Sequence, residues 1–116
     1  MTEVIAIELA PFRLAEGVTQ EALHAASERL EREFLSKCDG YVGRVLARSD
    51  GSAWADVVFW ESAEHAARAM AAVSSSTACR AYFECMAAAD HSEPGEGVTL
   101  LRGIKAYGRV PERSPA

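Results

Sequence analysis

The sequence predicts one α+β domain with a ferredoxin-like fold, an antiparallel four-stranded sheet that carries helices on one face. Three observations support this. The chain has 116 residues, the usual size of a single domain. Strand-like and helix-like apolar patterns follow each other in the order β-α-β-β-α-β. No internal repeat or linker interrupts that order. We assign residues 1–108 to the domain and 109–116, with two prolines, to a flexible tail.

The first half of the chain contains three predicted strands and one helix. Val and Ile dominate the first strand, and Thr19 is placed to cap the helix. Asp50-Gly51 is a strong hairpin signal, because these residues tolerate the positive φ angles of a tight turn. The predicted elements are a strand over Glu3–Phe12, a helix over Gln20–Lys37, a strand over Tyr41–Ser49 and a strand over Ala53–Trp60.

The second half contains a helix in two pieces and a final strand. Ser62 is a good N-cap for the first piece. Three hydroxyl side chains at Ser74–Ser76 interrupt the helix, because they compete for backbone hydrogen bonds, and we expect Thr77 to cap the second piece. The predicted elements are helices over Ala63–Val73 and Thr77–Ala89, a loop over Asp90–Gly97 and a strand over Val98–Tyr107.

Composition and charge narrow the class of protein. A net charge of −5 argues against nucleic acid or an anionic membrane as partner, because both require clustered Lys and Arg. No apolar run approaches the roughly 20 residues of a membrane-spanning helix, and the start of the chain lacks a basic signal-peptide region. Three cysteines without a CxxC pair favour a reducing compartment. We therefore expect a cytoplasmic protein.

Both faces of the predicted sheet are apolar. The third strand presents Trp54, Asp56, Val58 and Trp60 on one face and Ala53, Ala55, Val57 and Phe59 on the other. Helices cover only one face of this fold, and an uncovered face is normally polar. We therefore expect a homodimer closed by contact between sheet faces. The alternative is a monomer with a mildly apolar outer face.

Two segments resemble a known family. The segment DVVFWESAE at residues 56–64, preceded by the Asp50-Gly51 hairpin, is similar to the antibiotic biosynthesis monooxygenase (ABM) group of the dimeric α+β barrel superfamily. Gly40–Val42 resembles a corner of the same proteins, and the similarity runs from Val4 to about Tyr107. The resemblance implies a cofactor-independent monooxygenase that acts on a small aromatic or polyphenolic compound. The superfamily also includes haem-degrading enzymes and members without known activity.

The resemblance implies roles for a tryptophan and an arginine. Trp60 matches a tryptophan that lines the substrate pocket in some of these monooxygenases, and it is equally explained as a core aromatic residue. Arg80 falls where such enzymes place an arginine facing the substrate, so it would stabilise an anion formed as oxygen attacks. The alternative, which we favour, is an exposed Arg80 that pairs with Glu84 at i,i+4.

A carboxylate and a tyrosine complete the predicted chemistry. Asp56 takes the place of a polar group in those enzymes, where it would accept a hydrogen bond from a phenol or act as a base. It could equally pair with Arg44 or Arg48 across the hairpin, and we favour the pair because an unpartnered buried charge is costly. Together with Trp60, Tyr82 would supply a stacking surface for a flat substrate.

The helix over residues 63–72 is rich in alanine, and its short side chains leave space. We therefore predict a closed internal cavity between sheet and helices, bordered by Trp60, Met70, Tyr82 and the loop Asp90–Gly97. His65 lies near Trp60 in the sequence and could reach the rim of this cavity.

The chain also departs from the family. Cys79-Arg80 stands where the resemblance places a haem-ligating histidine, so haem degradation is not expected. Leu46 and Ala66 are apolar where quinone-forming oxygenases carry a histidine and a tyrosine. No residues show metal-ligand spacing, so we predict no metal, flavin or haem. Two hypotheses stay open: a cofactor-independent oxygenase, and a non-catalytic dimeric module that binds a small aromatic or apolar ligand.

Overall fold

The computed structural model describes residues 5–49, 51–87 and 97–110. Within these ranges the elements are β1 (Ile5–Arg13), α1 (Gln20–Glu33), β2 (Tyr41–Arg48), β3 (Ala53–Trp60), α2 (Ala63–Ala72), α3 (Thr77–Glu84) and β4 (Thr99–Gly103). The strands form one antiparallel sheet in the order β2-β3-β1-β4. This order confirms the predicted ferredoxin-like βαββαβ fold. In the described ranges, no helix has the length and hydropathy needed to cross a membrane.

The side-chain caps explain where the helices begin. Thr19 accepts a hydrogen bond from the backbone N–H of Ala22 (3.0 Å), and Ser62 caps α2 in the same way through His65 (3.2 Å). Both caps were predicted. The prediction of Thr77 as the cap of α3 is wrong by one residue, because the Ser76 hydroxyl accepts the hydrogen bond instead.

Three element ends differ from the prediction by more than one residue, those of α1, α3 and β4, and the reason is clearest for α3. The predicted helix continues to Ala89, but α3 ends at Glu84 because the chain then pairs with the end of β1. The backbone N–H of Ala87 donates to the Arg13 carbonyl (2.8 Å), and that of Ala15 donates to the Cys85 carbonyl (2.9 Å).

The other two differences are simpler. Beyond α1, the helix predicted up to Lys37 continues only as a 3-10 turn over Leu35–Lys37. The last strand is limited to Thr99–Gly103. Most of the predicted loop Asp90–Gly97 and of the predicted tail lies outside the described residues.

The core lies between the helices and one face of the sheet, which we call the inner face. Its residues on β1 and β3 are Ala6, Glu8, Ala10 and Phe12 and, opposite them, Trp60, Val58, Asp56 and Trp54. The helices contribute small or medium apolar residues, chiefly Leu23, Leu30, Ala66, Ala69 and Cys79, together with Tyr82. Two large indoles therefore face a layer of helices in which the side chains of α2 are small, and this leaves room on the inner face.

The opposite face, which we call the outer face, is also apolar. The register sets Leu9, Val57 and Val45 side by side in one row across the strands, and Leu101, Ile7 and Phe59 in another. Val45 and Leu101 are exposed, and the other four side chains of these two rows are half-buried. The predicted two-sided strand pattern is therefore present.

Gly40 should tolerate no side chain. Its φ is +78°, and a Cβ there would overlap the imidazole of His65. Gly40→Ala should therefore lower the free energy of unfolding by about 2 kcal/mol or more, measured by urea denaturation. Gly17→Ala is the matched control, because Gly17 also has a positive φ (+84°) but open space around it. It should lose only the strain of the backbone, about 1 kcal/mol. Equal losses in the two variants would contradict the contact with His65.

Candidate functional site

A cavity of about 550 Å³ lies between the inner face and the helices. The aromatic residues in its wall are Phe12, Phe34, Trp60, Tyr82 and Phe83. Its acidic and basic side chains are Glu8, Arg13, Arg44 and Asp56. The cavity is present where the alanine-rich helix predicts it. The expectation that it is closed is wrong along Met70 and Phe83, which line it and are 48% and 47% exposed. The cavity therefore reaches the surface there.

The best-connected carboxylate in the cavity wall is Asp56. Arg44 donates from Nη1 to Oδ1 of Asp56 (3.2 Å), and the Tyr82 hydroxyl donates to Oδ2 (2.5 Å). Both oxygens of this carboxylate are therefore bonded within the protein. The side chains of Arg44 and Asp56 are each only 7% exposed. The predicted ion pair is confirmed with Arg44; Arg48 instead lies over the Trp54 ring, 5.4 Å from its centroid.

Arg44 connects this cluster to α1. Its Nη2 donates to the carbonyl oxygen (3.0 Å) and the hydroxyl (2.7 Å) of Ser27, and its Nε lies 3.4 Å from Glu31 Oε1. We call Arg44, Asp56, Tyr82 and Ser27 the buried cluster. It joins β2, β3, α1 and α3 through hydrogen bonds that each involve a charged group, either Arg44 or Asp56.

The electrostatics of the buried cluster follow from its burial. Burial raises the pKa of Asp56, and the hydrogen bond from Tyr82 and the charge of Arg44 oppose that rise without cancelling it. Burial, reinforced by the negative Asp56, raises the pKa of Tyr82 far above its ordinary value. The tyrosine hydroxyl therefore stays protonated and acts as a donor to Asp56.

A second carboxylate lines the same cavity with fewer partners. The indole N–H of Trp60 donates to Oε1 of Glu8 (3.2 Å). Burial raises the pKa of Glu8, the bond from Trp60 opposes the rise, and the charge of Asp56 adds to it. No side chain or backbone group in the described ranges forms a hydrogen bond with Oε2 of Glu8.

The structure brings four of the six predicted site residues together. Asp56, Trp60, Met70 and Tyr82 all line the cavity. Arg80 does not line it and is exposed on α3. His65 borders a separate groove of about 310 Å³ between α2 and the end of α1. Its Nδ1 pairs with the Ser62 hydroxyl (2.7 Å), which fixes the ring against Gly40.

Sequence reasoning missed Glu8 as a site residue and weighed Arg44 only as a possible partner of Asp56. The signal for Glu8 was present: it is the one charged residue on the inner face of β1 over 5–12, between Ala6 and Ala10. A carboxylate placed between alanines on a core-facing strand is costly unless it has a task or a partner. Groups of three or more His, Cys, Asp or Glu side chains that could hold a metal ion are absent from the described residues.

Solved structures share the βαββαβ fold of this chain. No family model and no curated protein matches the sequence. A structure from Bordetella bronchiseptica described as a "putative antibiotic biosynthesis monooxygenase" matches with a TM-score of 0.68 and 16% identity over 90% of this chain and 100% of that one. The resemblance to ABM proteins is thereby confirmed at the level of the fold.

Two further matches carry more specific descriptions. SnoaB from Streptomyces nogalater, a cofactor-independent oxygenase, has a TM-score of 0.65 and 15% identity over 96% of this chain and 100% of that one. The ActVA-Orf6 monooxygenase of Streptomyces coelicolor, in complex with nanaomycin D, has a TM-score of 0.53 and 16% identity over 95% and 94%. A NIPSNAP-family protein of unknown function from Agrobacterium tumefaciens also matches, with a TM-score of 0.59 and 13% identity over 90% and 93%. Identities this low show a shared fold and no shared activity.

Replacing Glu8 with glutamine should stabilise the protein at neutral pH. Because burial raises the pKa of Glu8, its ionised form lowers stability above the folded pKa, and this cost disappears below the pKa of the unfolded chain. Glu8→Gln should therefore have a higher free energy of unfolding than the wild type at pH 7, and the gain should vanish as the pH falls towards 4, measured by urea denaturation. The exposed Glu16→Gln controls for the change in net charge. A less stable Glu8→Gln at pH 7 would contradict the cost of burial.

Proposed function

We propose that the protein is a cofactor-independent monooxygenase of the ABM type, acting on a small phenolic aromatic compound in the cavity. The observation that carries the proposal is the aromatic-walled cavity with a buried carboxylate, Asp56, and a half-buried one, Glu8, in its wall. Its volume lies within the range of about 300–1,000 Å³ typical of small-molecule pockets. Trp60 and Tyr82 offer aromatic surface to a flat ligand. The fold supports the proposal because cofactor-independent oxygenases share it.

The proposed reaction is the oxidation of a ring CH₂ group to a carbonyl. Removal of a proton from an electron-rich phenol or its keto form gives a carbanion, which passes one electron to O₂. The two radicals combine to a peroxide at the ring carbon. Loss of water then leaves C=O, so one oxygen atom enters the product and the other leaves as water with both hydrogens of the CH₂ group. The overall reaction is balanced by O₂ alone.

The residues that the sequence singled out fit this reaction unequally. Trp60, Tyr82 and Met70 stay in the proposed binding site because they line the cavity. Both oxygens of Asp56 already accept a protein donor, so a substrate proton there would weaken its bonds to Arg44 and Tyr82. Arg80 is exposed and does not line the cavity. We therefore leave Asp56 and Arg80 out of the proposed chemistry.

Oxygen uptake tests the proposal. Anthrone and a panel of hydroquinones should raise uptake above the buffer rate, and with isotopically labelled O₂ the anthraquinone formed from anthrone should contain one labelled oxygen atom. Ala69→Leu fills the cavity from α2, so we expect uptake to fall at least about tenfold, a loss of ~1.4 kcal/mol. Ala71→Leu, on the exposed side of the same helix, should match the wild type. Uptake at the buffer rate for every compound would overturn the oxygenase proposal.

The second candidate is a non-catalytic module that binds a small aromatic or apolar ligand in the same cavity. The observation that favours it is the internal pairing of the buried cluster, which leaves few polar groups free for chemistry. Ligand binding without oxygen uptake would support this candidate.

We also propose that two copies of the chain pack through their outer faces. The two apolar rows across the sheet, with exposed Val45 and Leu101, support the proposal, because contiguous apolar surface favours association. Light scattering coupled to size exclusion should give twice the chain mass of 12.5 kDa. Val57→Asp, at the centre of one row, should give the monomer mass, and Ala71→Asp on α2 should leave the dimer intact. A wild-type mass of one chain at every concentration would overturn the dimer.

A further inference from the structure

Glu8 occupies a distinctive place in the cavity wall. It lies on the inner face of β1 with only Ala6 and Ala10 beside it on the same face of that strand. Space next to its carboxylate is therefore left open to the cavity, which Glu8 and Ala10 both line. The indole of Trp60 holds one oxygen of the carboxylate in position (3.2 Å).

The hydrogen-bonding capacity of Glu8 is only partly used. Asp56, the other carboxylate in the cavity wall, has a protein donor on each oxygen. Glu8 has a donor on Oε1 and none from the described residues on Oε2. Buried side-chain nitrogen and oxygen atoms without a hydrogen-bond partner are absent from the described residues, so an Oε2 that Trp60 leaves unbonded is accessible from the cavity that Glu8 lines. A hydroxyl on a bound ligand would supply the missing donor.

We infer that Glu8 determines which ligands the cavity accepts, by receiving a hydrogen bond at Oε2 from a hydroxyl group on an aromatic ring. Trp60 is then a positioning residue, which fixes the carboxylate while its ring forms part of the wall. The inference rests on the proposed function in one respect: in the oxygenase, Glu8 also takes the proton of that hydroxyl. That hydroxyl belongs to the phenol form of the substrate, so its hydrogen is one of the two that the CH₂ group carries in the keto form. The O–H bond breaks and its electron pair stays on the ligand. Glu8 then returns the proton to the peroxide, from which it leaves in the released water.

Two features support this assignment. Burial and the neighbouring charge of Asp56 raise the pKa of Glu8, which makes its carboxylate a stronger proton acceptor than a free glutamate. A hydrogen bond to an ionised acceptor in a partly dry site is also stronger than a neutral one. A ligand that carries an ether in place of the hydroxyl offers no donor and leaves Oε2 unsatisfied.

The selectivity can be tested without any turnover. Calorimetry at pH 7 compares 2-naphthol with 2-methoxynaphthalene, which have the same rings and differ in the donor. The wild type should bind the naphthol about tenfold or more tightly, the scale of a hydrogen bond to a charged acceptor. In Glu8→Gln, the amide oxygen can still accept from Trp60 while its NH₂ group offers only donors. The preference should fall to within about twofold or reverse. Glu16→Gln should keep the wild-type preference.

The outcomes separate this inference from the proposed function. A naphthol preference that survives in Glu8→Gln, with 2-methoxynaphthalene bound as in the wild type, would overturn the role of Glu8 alone. A preference lost in Glu8→Gln supports it, even if no compound in the oxygen-uptake panel reacts, in which case only the proposed oxygenation fails. Failure of the wild type to bind either compound would overturn the inference and the aromatic-binding site together.

Discussion

The burial of Arg44 against Asp56 is the interaction on which the inner side of this structure depends. Two charges removed from water are stable only when their remaining hydrogen-bonding positions are filled. Ser27 from α1 and Tyr82 from α3 fill them. The requirement fixes how far both helices stand from the sheet, because a shift of either helix would leave a buried charge or hydroxyl without its partner. The space beneath the helices is thus held open by polar contacts at one end.

At the other end, the space is set by side-chain volume. Trp60 faces α2, whose buried residues are the small Ala63, Ala66 and Ala69. A helix of alanines against an indole cannot fill the layer as a leucine-rich helix would. The cavity is therefore a consequence of two independent features, the fixed distance of α1 and α3 and the small side chains of α2. Either feature alone would leave the layer free to collapse.

The sequence was sufficient for the fold and for part of the site. Strand alternation and helical period predicted every element, because burial of one face imposes those periods. Asp56, Trp60 and Tyr82 could be placed in the cavity wall from the same patterns. Arg80 was named as a site residue only through the resemblance, and the helical period supports the exposed position that we favoured. Ala78 and Tyr82 face the core, and a residue midway between them lies about 200° around the helix from each. The end of α3 could not be predicted, since it depends on backbone bonds to the distant end of β1.

The two carboxylates of the cavity wall show why burial alone does not identify a reactive group. Asp56 and Glu8 lie on neighbouring strands, and burial raises the pKa of both. Their hydrogen bonds differ, however. A proton on Asp56 would weaken its bonds to Arg44 and Tyr82, which connect the helices to the sheet, so chemistry there would lower stability. Glu8 is anchored through one oxygen and retains the other, so it can bind a ligand without disturbing the buried cluster. Stability and reactivity are thus assigned to different carboxylates. The oxygen of Glu8 that receives no donor from the described residues, more than the raised pKa, distinguishes it from Asp56.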